Sequence, residues 1–124
     1  IPLEEAREGV REMLAFLRDA RMGSFLTVLK RFGREEGMLS FPREGYTLAV
    51  DIPVREKTRG VVHALDAVVL RRKGRVYLAK DAFSCREVFV QGYPRLQEWK
   101  KVKKKWDPMH KFVSLQAQRL GVAE

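Results

Sequence analysis

The chain has 124 residues, 45% of them hydrophobic and 33% charged, which fits one soluble globular domain with a core of its own. Its net charge of +9 favours an anionic partner: nucleic acid, a membrane surface, phosphate or an acidic neighbouring domain. One cysteine, Cys85, and two histidines, His63 and His110, without paired ligands at metal spacing exclude a disulfide framework and argue against a metal site.

The first residue is Ile1 rather than methionine, so the chain is expected to be a processed product or a piece of a longer protein. No stretch reaches the roughly 18 apolar residues of a membrane span. The start, Ile1-Pro2-Leu3-Glu4-Glu5, is acidic where a signal peptide is basic. The expected location is cytoplasmic, with or without contact to a membrane.

Residues 2–20 read as an amphipathic helix. Pro2 suits a first turn, Glu4 and Glu5 suit the positive end of the dipole, and Leu3, Ala6, Val10, Met13, Leu14 and Leu17 recur at helical spacing. Met22-Gly23-Ser24 ends it. A strand is expected over 25–32, with Leu26, Val28, Lys30 and Phe32 on one face. A second is expected over 46–53. Tyr46, Leu48, Val50 and Ile52 share one of its faces; Thr47, Ala49 and Asp51 share the other, and an acid among small residues marks a face that meets solvent or a ligand.

Residues 58–73 predict a second helix with Val61, Val62, Leu65, Val68 and Val69 buried and Gly74 as C-cap. The run Arg75-Val76-Tyr77-Leu78-Ala79-Lys80-Asp81 then reads as a short strand ending in a lysine. Lys80 falls on the face of Val76 and Leu78, where a cation can serve as a fixed positive pole for an anion or an electron-rich ring. Ser84-Cys85-Arg86-Glu87 is a capping-box pattern that opens a short helix through about residue 91. Residues 95–106 and 112–120 predict two more helices. In the first, Leu96, Trp99, Val102 and Trp106 form an apolar stripe and the lysines between them a solvated face. The fold class is α+β: a small antiparallel sheet with helices packed on it.

No Gly-rich phosphate loop and no Ser/His/Asp or Cys/His arrangement is present. Lys30, Asp51, Lys80 and Asp81 remain, on or after three expected strands whose polar ends converge on one cleft.

Several blocks resemble the decaprenylphosphoryl-ribose oxidase family, within the vanillyl-alcohol-oxidase-like flavoproteins. They are Ser24-Phe25-Leu26-Thr27-Val28-Leu29-Lys30-Arg31-Phe32-Gly33, Leu39-Ser40-Phe41-Pro42 through Val50-Asp51-Ile52-Pro53, and Gly74-Arg75-Val76-Tyr77-Leu78-Ala79-Lys80-Asp81. Tyr93-Pro94-Arg95, Glu98-Trp99 and Lys105-Trp106-Asp107-Pro108 follow in the family's order. The resemblance implies the C-terminal fragment of a two-domain FAD-dependent oxidoreductase. Residues 1–79 would be the end of the substrate-binding (cap) domain. Residues 80–124 would be a helical segment returning to an N-terminal FAD-binding domain outside this chain.

By the same resemblance, Lys80 is catalytic, lying beside the flavin ring. Lys80, Tyr77, Ala49 and Asp51 border the cofactor, while Lys30, Phe32 and Thr47 face the substrate. No metal is implied. FAD belongs to the full-length parent and is not expected on this fragment alone. The partners implied are the FAD-binding domain and a sugar-type substrate, with no specific nucleic acid and with self-association of the fragment through an uncovered face. Two departures stand out: mycobacterial members carry cysteine at Ala49 and asparagine at Thr47. The alternative function is a small basic module that binds nucleic acid or an acidic partner through Lys100, Lys101, Lys103, Lys104 and Lys105.

Overall fold

The computed structural model describes residues 1–122. Helix α1, Leu3–Asp19, follows Pro2 and buries Ala6, Gly9, Met13 and Leu17 at steps of three and four. It ends in a Schellman turn: Arg21 takes a left-handed conformation (φ 53°), and the Met22 amide reaches the Leu17 carbonyl at 2.9 Å. Met22 is thereby buried against Leu17 and Val61.

Strands β1, Thr27–Phe32, and β2, Gly45–Val50, pair antiparallel with Lys30 opposite Thr47 and Val28 opposite Ala49. Val50 and Ile52 pack on the Leu17–Met22–Val61 cluster. Tyr46 and Leu48 share the face of Val50, so that face turns towards the helices and the alternate residues face away. At the start of β2 the Tyr46 amide bonds the Ile1 carbonyl at 3.0 Å.

Helix α2, Thr58–Arg71, lies along α1, and Arg72 just beyond it pairs with Glu5 at 3.1 Å and Glu12 at 3.0 Å. Val61 and Val68 are buried and Val62, Leu65 and Val69 half-buried, so the expected stripe is present. The end of α2 corrects the expectation of Gly74 as C-cap. Arg72 is the C-cap, Lys73 takes the left-handed position (φ 54°), and the Gly74 amide reaches the Val69 carbonyl at 2.7 Å. Glycine is needed at 74 because a Cβ there would stand 2.9 Å from that carbonyl.

The expected strand at 75–79 does not form. The Val76 carbonyl accepts from the Tyr93 hydroxyl at 2.8 Å and the Leu78 carbonyl from Gln116 at 2.5 Å. With side chains taking these carbonyls, no strand pairs there, and Leu78–Lys80 closes as a short 3₁₀ turn. The sheet among the described residues is therefore two-stranded.

Helix α3, Arg86–Gly92, has Cys85 at its N-cap, with no side-chain cap hydrogen bond. The expected capping box with Ser84 as N-cap therefore does not form. Ser84 is buried instead, its carbonyl accepting from Arg119 at 2.5 Å. Helix α4, Leu96–Trp106, and the short α5, Leu115–Arg119, complete the fold. Phe89, Tyr93, Leu96, Leu120 and Val122 form a second core, with Leu39, Leu78, Trp99 and Ala117 around it. The expected last helix shrinks at its start because Ser114 caps it, accepting from the Ala117 amide at 3.1 Å. The apolar stripe of α4 is packed only at its beginning: Leu96 is buried and Trp99 half-buried, whereas Trp106 is 77% exposed.

Candidate active site

The antiparallel register decides which side chains share the outward face of the sheet. Thr47, Ala49 and Asp51 alternate along and just beyond β2. Lys30 and Val28 stand directly opposite Thr47 and Ala49, and Phe32 opposite Gly45. Directly opposed residues of an antiparallel pair have Cβ atoms about 5 Å apart. Lys30 and Thr47 are therefore neighbours on one surface, although 17 positions separate them in the sequence.

Lys80 reaches this surface from the 3₁₀ turn rather than from a strand end. Its ammonium donates to Asp51 Oδ1 at 2.9 Å. Both side chains are more than half exposed, so the pair lies open at the edge of the face. The neighbouring acid turns away: Asp81 is buried and accepts from Arg119 at 2.9 Å, which makes it a strut between the 3₁₀ turn and α5. Of the four polar groups expected to converge, Lys80 and Asp51 meet, Asp81 turns away, and Lys30 stands opposite Thr47, further along the sheet.

An aromatic row borders the same surface. Phe32 meets Phe41 edge-to-face at 6.1 Å, and Phe41 meets Tyr77 at 4.7 Å. Phe41 links the residue expected at the substrate to one expected at the flavin. It was not singled out from the sequence, although its place inside the Ser40-Phe41-Pro42 block was a signal.

The site is charged but small-sided. Ala49 and Thr47 leave a flat strip between Lys30 and the Lys80–Asp51 pair. Such a strip suits a planar ring with a cation at its edge. Among the described residues, no cluster of three or more His, Cys, Asp or Glu side chains is placed to hold a metal ion. Among the same residues, no helix is long and apolar enough to cross a membrane.

Away from this face, Asp107 organises the turn after α4. It accepts from the Lys111 amide at 2.7 Å and the Phe112 amide at 3.0 Å, and it pairs with Lys103. The Lys103 ammonium, and then the two amides, hold its carboxyl down at about 2 against the opposing effect of burial. Beside this turn, Trp106, Val102, Phe112, Val113 and Leu78 line a broad apolar groove.

No protein-family model matches the chain. It is 37% identical over 117 residues to decaprenylphosphoryl-beta-D-ribose oxidase of Mycolicibacterium smegmatis, a match that covers 94% of the chain and 25% of the oxidase. It is 36% identical over 97 residues to a Streptomyces coelicolor protein described as an uncharacterized protein in the mprA 5' region, covering 77% of the chain and 26% of that protein. The chain spans about a quarter of the length of these curated relatives. Matched along nearly all of its residues, the chain is a relative of decaprenylphosphoryl-beta-D-ribose oxidase, in agreement with the family resemblance of its sequence blocks.

Proposed function

We propose that this chain is the C-terminal part of an FAD-dependent oxidoreductase that oxidises a secondary alcohol of a sugar or sugar-phosphate lipid by hydride transfer to flavin N5. The observation that carries this reading is the Lys80–Asp51 pair at 2.9 Å, set at the edge of an open strip formed by Ala49 and Thr47. Kinship to a protein named as an oxidase supports it. Residues 1–79 then belong to the end of a substrate-binding domain and residues 80–124 lead back to an FAD-binding domain. The whole enzyme works in the cytoplasm, and meets a membrane where its substrate is a lipid.

The residues present fit one side of a flavin ring. They offer small side chains for a flat surface and an ammonium for an electron-rich edge. They offer no Gly-rich loop for a pyrophosphate, which falls to the other domain. FAD, when bound, would supply the acceptor for the hydride leaving the carbinol carbon, and the hydroxyl proton would go to solvent. Lys80 places a fixed positive charge where negative charge gathers during the reaction, and Asp51 orients it. Lys30 and Thr47, opposite one another, donate hydrogen bonds to substrate hydroxyls. The Phe32–Phe41–Tyr77 row walls the strip against water.

The test is the visible spectrum of the full-length enzyme. Bands near about 370 and 450 nm that bleach with a sugar alcohol, with bleaching lost in Lys80→Met, support the reading. A colourless protein that takes up no added FAD overturns it. That result would leave the basic module, for which the exposed Trp106 beside Lys105 (5.6 Å to the ring) on a lysine-rich helix is the favouring observation.

A further inference from the structure

A second concentration of charge lies beside the sheet face, and it is uncompensated. Arg43, Lys73 and Arg75 line a hollow of about 320 Å³ together with Gly74, Gln91 and Gly92. Several arginines elsewhere pair with carboxylates: Arg71 and Arg72 with Glu12, Arg95 with Glu98, and Arg119 with Asp81. Arg43, Lys73 and Arg75 pair with none among the described residues. Arg43 donates to the Lys73 carbonyl at 2.7 Å and Arg75 to the Ser40 carbonyl at 2.6 Å. These bonds fix both guanidinium groups and leave further donors unused.

The two guanidiniums feel each other. Burial first, and then the charge of Arg43, push the Arg75 pKa down. Like charges held together without a counter-ion are relieved by an anion. Arg43 and Arg75 also line a small recess shared with Phe32, Phe41 and Thr47. They form the wall between the hollow and the end of the sheet face where substrate contact is proposed.

We infer that Arg43, Lys73 and Arg75 form a phosphate site, which takes the phosphate of a phosphorylated sugar whose ring lies against Phe32 and Thr47. The sugar half rests on the oxidoreductase reading; the phosphate half rests on the cation cluster alone. Planar guanidiniums recognise phosphate oxygens in pairs, and the lysine adds a mobile point charge. The phosphate belongs either to a soluble sugar phosphate or to a lipid-linked one.

The test is binding by the full-length enzyme, measured by calorimetry and phosphorus NMR. The probes are ribose phosphate in solution, dodecyl phosphate in neutral detergent micelles, and ribose as the uncharged control. Arg43→Gln combined with Lys73→Gln is expected to weaken binding of at least one phosphate probe by about tenfold or more, with ribose unaffected. The probe that binds more tightly assigns the source. A melting temperature within about 3 °C of the wild type shows that the double variant is folded, and Arg75→Lys should lose part of the affinity while keeping the charge. Equal affinity of wild type and double variant for both phosphate probes overturns the site. So does equal affinity of the wild type for ribose and ribose phosphate. Phosphate binding that depends on Arg43 in a protein without flavin would sink the oxidoreductase reading and leave the phosphate site standing.

Discussion

Lys80 and Asp51 are 29 positions apart in the sequence and 2.9 Å apart in the structure, Nζ to Oδ1. The contact ties the 3₁₀ turn to the residue just beyond β2. It also sets the direction of the Lys80 ammonium at the edge of the Ala49–Thr47 strip. Because both side chains are more than half exposed, the pair adds little to stability; its value lies in where it holds charge.

Lys80→Met and Asp51→Asn should therefore each change stability by no more than about 1 kcal/mol. In the flavin-loaded full-length enzyme, Lys80→Met should lower the flavin midpoint potential and cut kcat about tenfold or more. Asp51→Asn should raise the potential, because it removes a negative charge and frees the ammonium. Equal potentials in all three proteins would deny both residues a place at the ring.

Two glycines make a matched comparison. Gly45 has φ 154°, and a Cβ there would lie 2.2 Å from the Ile1 carbonyl oxygen. Gly60 lies in α2 with no atom within 4 Å of a Cβ. Gly45→Ala should cost about 3 kcal/mol, through strain and loss of the Ile1–Tyr46 contact. Gly60→Ala should stabilise by about 0.5 kcal/mol. Urea midpoints that move in these opposite directions check both.

Asp66 is buried on α2, and its Oδ2 has no hydrogen-bond partner. Burial raises its pKa to about 6, against a smaller opposing pull from His63. A raised folded pKa means that the contribution to stability is complete below about 3.9, the unfolded value, and is lost as pH rises through about 6. Asp66→Asn should therefore melt a few degrees above the wild type at pH 8, and the gap should close by about pH 4. A gap that does not depend on pH would show that the carboxyl is not the cause.

The outward face was legible because alternation along a strand needs no knowledge of its partner. Thr47, Ala49 and Asp51 fell together by parity alone, as did Lys30 and Phe32. The register that sets Lys30 against Thr47 was not legible, since the turn between the strands is long and irregular. The Val76–Leu78 alternation misled because β pattern requires a neighbouring strand, and here the Tyr93 hydroxyl and the Gln116 amide take the carbonyls instead. Both partners lie later in the chain, Tyr93 just beyond α3 and Gln116 in α5. Arg43 and Arg75 escaped notice for a related reason: their missing carboxylates are a property of the folded neighbourhood, not of the sequence around them.

Asp107 gives the opposite pH dependence from Asp66. Its carboxyl is held at about 2, so its contribution is present above about 3.9 and is lost as pH falls through about 2. Asp107→Ala removes the acceptor for the Lys111 and Phe112 amides and the partner of Lys103. The melting temperature should fall on the order of 5 °C at pH 7, and protease should cut first within residues 108–114. The difference from the wild type should shrink between about pH 4 and pH 2. Cutting elsewhere at the same rate would separate Asp107 from the turn.

Trp106 would report whether the groove beside α4 is covered in the proposed longer protein. It is 77% exposed, with Val102, Phe112 and Val113 lining the same apolar surface. Apolar surface of this kind marks contact with another domain or another copy. With Trp99→Phe isolating the signal, Trp106 in the 124-residue chain should emit at long wavelength and be readily quenched by acrylamide when dilute. In the full-length enzyme its emission should shift to the blue and quenching should fall about threefold or more, because the returning segment packs there. If quenching falls only as the short chain is concentrated, the groove is covered by a second copy. The proposed docking of residues 80–124 on the FAD-binding domain would then be wrong.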